Sequence, residues 1–76
     1  MTDGSASNYL SDLGPLLMDL ARTARADADR TGDPFDRGRS MGLYEAVSLV
    51  VQQADAFGLD RGDVGLEGID PDRDLL

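Results

Sequence analysis

Apolar residues recur every three or four positions along two separate segments of this chain, which is the period of one α-helix face. The spacing predicts a first helix over residues 8–30, after a flexible polar stretch at residues 1–7. Ser7 or Asn8 is a suitable cap, but Pro15 allows two interpretations. Either the helix begins at a cap at Ser11 or Asp12, or it begins earlier and bends at the proline. The periodic positions of this segment are Leu10, Leu13, Leu17, Leu20, Ala24 and Ala28.

The second segment has a broader apolar face than the first. One line of this face holds Met41, Tyr44, Val47, Val51 and Ala54, and the adjacent line holds Leu43, Val50 and Phe57. This pattern predicts a second helix over residues 36–57, closed by Gly58. The face is too wide for a single neighbouring helix, so we expect another polypeptide to cover part of it.

Between and after the two helices, the composition changes to turn-forming residues. The segment Thr31–Pro34 is typical of a turn, and such a short link makes the flanking helices antiparallel neighbours. Residues 59–76 contain isolated aliphatic residues among glycines, which predicts an irregular strap with one short helical turn at residues 61–64, capped by Asp60. The predicted fold is therefore one all-α domain over residues 1–76: an antiparallel helical hairpin plus a short C-terminal helix or turn. We expect two copies to pair into a dimeric four-helix arrangement.

Size and composition support an association of this kind. A chain of 76 residues can bury only a small core, and such domains usually add disulfides, a metal or oligomerisation. The sequence has no cysteine and no histidine, which leaves oligomerisation or docking on a partner. Gly38, Gly42 and Ala46 form a ladder of small residues that would permit a close helix crossing. The predicted dimer or partner interface comprises Gly38, Gly42, Tyr44, Ala46, Val47, Val51 and Phe57.

The net charge limits the classes of partner. Fifteen acidic residues oppose seven arginines, which gives a net charge of −8. Such a chain is repelled by nucleic acids and by anionic membranes, and it is attracted to basic protein surfaces. We therefore expect a protein partner with a basic surface, no direct binding of nucleic acid and no membrane binding. The N-terminus has neither the basic nor the apolar region of a signal peptide, which predicts a cytoplasmic location.

The sequence offers little for catalysis or metal binding. A serine nucleophile needs a base, and the chain has neither histidine nor lysine, so we expect no enzyme and no cofactor. The segment from Asp27 to Asp33 resembles the start of an EF-hand calcium loop, with ligand-type residues at positions one, three and five (Asp27, Asp29 and Thr31) and Gly32 at position six. The resemblance fails at the position of the bidentate glutamate, which is Gly38 here, and so we expect no metal site.

These observations predict a non-enzymatic, acidic protein-binding module. Its most concrete form is an inhibitor or regulator that occludes a basic, nucleic-acid-binding surface of a larger protein. Phage anti-defence inhibitors, including anti-CRISPR proteins, are similar in size and charge, although no motif is shared. The alternative is a homodimeric structural or accessory subunit that docks through its apolar helix face; an immunity protein and a calcium-responsive helix pair are less favoured. In the inhibitor, the residues that face the basic partner would be Asp27, Asp29, Asp33 and Asp36.

Overall fold

The computed structural model describes residues 4–76, and the flexibility predicted for residues 1–3 lies outside this range. All regular structure in the described part is helical. Helix α1 spans Ser5–Thr31, α2 spans Pro34–Ala56, a 3₁₀ helix spans Arg61–Val64, and α3 spans Pro71–Leu75. The two long helices pack against each other across a two-residue link. The predicted all-α helical hairpin is thus confirmed.

Helix α1 begins earlier than predicted and passes through its proline. Its N-cap is Gly4, so the positions expected to be flexible at 5–7 are helical, and none of the four predicted capping residues caps it. Pro15 lies inside the helix and has no N–H to donate to the carbonyl of Ser11. That carbonyl faces the C-terminal segment, where a Cβ added at Gly65 would come within 2.4 Å of it. The second interpretation of Pro15, an earlier helix start, is therefore correct.

Helix α2 is closed at both ends by local signals in the sequence. Asp33 is its N-cap and accepts a hydrogen bond of 2.8 Å from the Phe35 N–H, and a proline occupies the first turn. This cap starts the helix two residues before the predicted position. At the other end Gly58 has a φ of 69°, and the N–H of Leu59 donates to the Ala54 carbonyl at 2.8 Å. This is the glycine closure that the sequence predicts.

The strap, residues 59–76, is an ordered part of the core. Its 3₁₀ helix contacts mainly α1, whereas α3 contacts mainly α2. Val64, Leu66 and Leu75 are buried, and they complete a core to which α1 contributes Met18 and Ala21 and α2 contributes Val47, Val51 and Ala54. The prediction of an ordered strap over the hairpin is confirmed, as is its short helical turn at residues 61–64.

Helix α3 was not expected, because the glycines and the proline of the strap argued against any helix beyond residue 64. Asp70 caps α3 by accepting from the Asp72 N–H at 3.0 Å, and Pro71 occupies its first position. Proline restricts helix interiors but suits the first turn, where no helical N–H is required. Asp70 and Pro71 together indicate the start of a helix, but the glycines of the strap led to the opposite prediction.

The closest backbone approach occurs at Gly14, not in the ladder of small residues on α2. A Cβ added at Gly14 would lie 1.7 Å from the Val64 carbonyl oxygen, a distance that no side chain can accommodate. In contrast, a Cβ added at Gly38 or Gly42 would meet nothing within 4 Å beyond its own helix in the described chain. The close crossing expected at Gly38 and Gly42 is therefore not made within the chain.

Candidate functional site

The strap covers one side of the hairpin and leaves the opposite side open. Tyr44 donates its hydroxyl hydrogen to Asp72, and Arg25 donates to the carbonyl of Leu76. Within the strap, Arg61 donates to the Ile69 carbonyl at 2.6 Å. These contacts place the strap on the side of α2 that contains Tyr44 and the side of α1 that contains Arg25. The other sides of α1 and α2 meet no strap residue in these contacts.

On α1 the uncovered side is a row of leucines. Leu10, Leu13 and Leu20 are between 40% and 51% exposed, whereas Leu17 is half-buried and packs against the core. Their spacing of three, four and three residues aligns them on one side of the helix. We call Leu10, Leu13, Leu17 and Leu20 the leucine stripe.

On α2 and its C-cap the uncovered side also holds exposed apolar residues, with Glu45 at its edge. Leu49 is 57% exposed and Phe57, which caps the helix, is 76% exposed. Gly42, Ala46 and Gln53 lie on the same line of the helix as these two residues, at spacings of three and four. We call these five residues the α2 stripe, and the two stripes together the open face. Leu10, Leu49 and Phe57 line one groove of about 360 Å³, to which the strap adds Leu59 and Val64. The two stripes therefore adjoin at this groove.

The structure corrects two of the predicted interface residues. Val47 is 0% exposed and Val51 is 5% exposed, because α1 and the strap cover them. They belong to the chain's own core and cannot contact a partner. Tyr44 is half-buried, its hydroxyl is bound to the strap through Asp72, and its side chain lines a groove with Gly42 and Leu49.

The remaining predicted interface residues are accessible. Gly42, Ala46 and Phe57 belong to the α2 stripe, whereas Gly38 is exposed nearer the turn. Their role in an interface stays a prediction. Sequence reasoning missed Leu49 and the leucine stripe because it assigned the wide face to α2 alone. The line of leucines on α1 is also an apolar pattern and could have indicated that α1 contributes to an exposed apolar face.

The four aspartates predicted to face a basic partner are all engaged within the chain. Asp27 pairs with Arg30 at 3.3 Å and with Arg39 at 3.9 Å, and Asp29 pairs with Arg25 at 3.1 Å. Asp33 caps α2, as described above. Asp36 accepts a hydrogen bond of 2.6 Å from the hydroxyl of Thr31. These contacts are exposed, so a partner could still compete for the four carboxylates, and their role stays a prediction.

The negative charge is concentrated away from the turn that those aspartates surround. Residues 22–39 contain four aspartates and five arginines, a net charge of +1. The strap contains six acidic residues and two arginines, a net charge of −4. Within the strap, a hydrogen bond from Arg73 and one from the Asp70 amide lower the pKa of Asp74 to about 2. The acidic surface of this protein therefore belongs mainly to the strap.

No cluster of three or more acidic residues in the described part of the chain is arranged to hold a metal ion. Between residues 4 and 76, none of the helices is both long enough and apolar enough to cross a membrane. The open face is thus the feature that most needs a functional explanation. Comparison with protein-family models, with curated proteins and with solved structures finds no match to this chain.

Proposed function

We propose that this chain is a non-enzymatic protein-interaction module that binds through its open face. The observation that carries the proposal is a row of exposed apolar residues on each of two adjoining helices, on a protein whose net charge is −8. Exposed apolar patches of this continuity are typical of interaction surfaces. Two copies joined through these faces would form the predicted four-helix arrangement. The non-enzymatic part of the proposal rests on the absence of histidine, cysteine and lysine from the sequence.

The packing of the core also supports a binding role for the open face. Met18, Val47 and Leu66 are all nearly fully buried, and the open face contributes to this core through Leu17. Leu10, Leu13, Leu20 and Leu49 stay exposed outside the core, and each of them lowers solubility while it faces water. Binding a partner would remove that cost.

The proposal is tested by one substitution on the open face and one matched control. Leu49→Asp places a charge in the α2 stripe, and Met41→Asp makes the same change in charge at a residue of similar exposure, 48% against 57%, that lines a different groove with Leu76. The wild type and both variants are each immobilised and exposed to a lysate of the native cells. We expect the wild type and Met41→Asp to retain a common protein, which can be this chain itself, and Leu49→Asp to lose it. Equal retention by all three would contradict the proposal.

A second candidate function is the inhibitor that occludes a basic, nucleic-acid-binding surface, as phage anti-defence proteins do. The net charge of −8 favours it, and so does the position of most of that charge outside the open face. Salt separates the two candidates, because exposed charge pairs are screened over about 8–10 Å at physiological ionic strength. Partner binding that weakens markedly between low and physiological salt would favour the inhibitor, while apolar docking would change little.

A further inference from the structure

We propose that the partner of the open face is a second copy of this chain, joined antiparallel about a two-fold axis near Leu49. This inference rests on the proposed function and names the partner of the same surface. Each copy would place α2 against α2 and α1 against α1 of the other, with both straps on the outside. Five observations carry the inference: two concern the symmetry of the stripes, one concerns the shared level of their centres, one concerns charge and one concerns area.

The leucine stripe is symmetric along its own helix. Leu10 and Leu20 are equally far from position 15, and so are Leu13 and Leu17. In an isologous contact residue i meets residue j while j meets i. A two-fold axis at position 15 would therefore pair Leu10 with Leu20, and it would set Leu13 at the level of Leu17, which is half-buried against the core of its own chain.

The α2 stripe also has a centre of symmetry, and the two residues at equal distances from it differ in size, one being small and the other large. Gly42 and Phe57 are equally far from a point between positions 49 and 50, and so are Ala46 and Gln53. An axis at that point would set the exposed Phe57 ring of one copy over Gly42 of the other, where no side chain stands in the way. A parallel arrangement would instead bring two phenylalanines to one level and two glycines to another, which packs less well.

The two centres lie at the same level of the hairpin. Because α1 ends at Thr31 and α2 begins at Pro34, positions whose numbers add up to about 65 stand side by side, as the Asp27–Arg39 pair illustrates. Position 15 of α1 therefore stands beside position 50 of α2. One axis serves both stripes, although nothing in the packing of a single chain requires their centres to coincide.

The ends of the hairpin also differ in charge in a way that suits antiparallel pairing. The turn end, residues 22–39, has a net charge of +1, whereas residues 55–67 at the free end hold four acidic residues and one arginine, a net charge of −3. An antiparallel pair brings the turn end of one copy beside the free end of the other. A parallel pair would bring the two negative ends together.

The area of the open face reaches the minimum for a proposed interface. The sixteen residues from Gly42 to Phe57 extend about 22 Å, and two helices side by side are about 20–24 Å wide. The outline is therefore about 500 Å² per copy, or about 1,000 Å² for both, which is the threshold for a biological interface and falls below the range of about 1,200–2,000 Å² of stable ones. Protruding side chains such as Phe57 add to this area.

Sedimentation and disulfide cross-linking test the pair and its register. Purified wild type is expected to sediment with twice its mass of 8.1 kDa, and Leu49→Asp to weaken the pair by about 100-fold or more, because each pair then buries two carboxylates at the axis. Met41→Asp is expected to leave the mass unchanged. Circular dichroism of both variants checks that the hairpin still forms.

The chain has no cysteine, so single cysteines report the register without interference. After mild oxidation, Leu49→Cys is expected to link to itself, since its two copies would be about 1.5 Å apart along the helices. Phe57→Cys alone should not link, because the two copies would be about 22 Å apart, but a mixture of Gly42→Cys and Phe57→Cys should.

The outcomes separate this inference from the proposed function. A monomeric wild type, or a Phe57→Cys link without a Leu49→Cys link, would overturn the inference. If the purified chain is monomeric while Leu49→Asp still loses a protein from the lysate, the partner is a different protein and only the antiparallel pair is rejected. A dimer that Leu49→Asp leaves intact would also reject the pair described here.

Discussion

Both sides of the hairpin carry apolar residues, but the fold buries those on one side and leaves those on the other side exposed. On the strap side, Leu66 and Leu75 cover Val47 and Val51, and Tyr44 is bound to Asp72. On the open side, Leu49 and Phe57 remain more than half exposed. The comparison teaches that one chain of this length can cover one side of its hairpin and no more. What the sequence presents as a single wide face is a core on one side and a binding surface on the other.

The largest expected effect tests whether the strap side carries the stability. Leu66 is only 1% exposed, so Leu66→Ala leaves a cavity in the core and is expected to cost about 2–5 kcal/mol of unfolding free energy. Leu49→Ala on the open face is the matched control and should cost less than about 0.5 kcal/mol in a sample dilute enough to be monomeric. Urea denaturation of both variants provides the measurement. Equal losses of unfolding free energy would show that the two sides contribute equally to stability, and this would contradict the distinction between core and binding surface.

The next effect concerns the contact that holds the strap in place. Gly14→Ala puts a methyl group where the Val64 carbonyl lies, so the strap must move, at an expected cost of about 1–3 kcal/mol. Gly38→Ala is the control, because its added methyl group meets nothing within 4 Å beyond its own helix in the described chain. It should stabilise α2 by up to about 1 kcal/mol. Opposite signs in thermal melts at one protein concentration would support this account, and a destabilised Gly38→Ala would contradict it.

The smallest effect is a dependence on pH at the point where α3 meets α2. The hydrogen bond to Asp72, together with burial, raises the pKa of Tyr44 above its ordinary value of 10.0. The folded state therefore holds this proton more firmly than the unfolded chain. Its contribution to stability is complete below pH 10 and is lost as pH rises through the folded pKa.

The variant Tyr44→Phe lacks that proton, so its stability should fall less between pH 9 and pH 11 than that of the wild type. Chemical denaturation at several alkaline pH values measures the difference. Parallel loss of stability in the two proteins would mean that Tyr44 does not hold the strap through its hydroxyl.

The local elements of the fold could be predicted because their causes are local. The three- and four-residue period, the Thr31–Pro34 turn and the Gly58 closure each act within one turn of helix, and the structure retains all three. The two interpretations left open at Pro15 and the helix start missed at Pro71 share one cause. Whether a proline ends, enters or is tolerated in a helix depends on what its neighbours contact, and that information is not local.

The candidate site could be predicted only in part for the same reason. Gly42, Ala46 and Phe57 were identified by pattern alone, but so were Val47 and Val51, which share the helical period and differ only in azimuth around α2. Successive helix residues are rotated by about 100°, so a buried position can be the direct neighbour of an exposed one. The pattern of one sequence does not predict which side of the helix the strap will cover.

The sequence by itself determined that this chain forms two amphipathic helices joined by a tight turn, because helix period and capping are properties of neighbouring residues. Only the tertiary structure decided which side of the hairpin became the interior. That choice depends on Gly14 admitting the backbone of Val64 and on Leu66 and Leu75 reaching the core from the far end of the chain. Contacts of this kind join residues about 20 to 60 positions apart, so they depend on the packed arrangement of the whole chain and not on the character of any one segment.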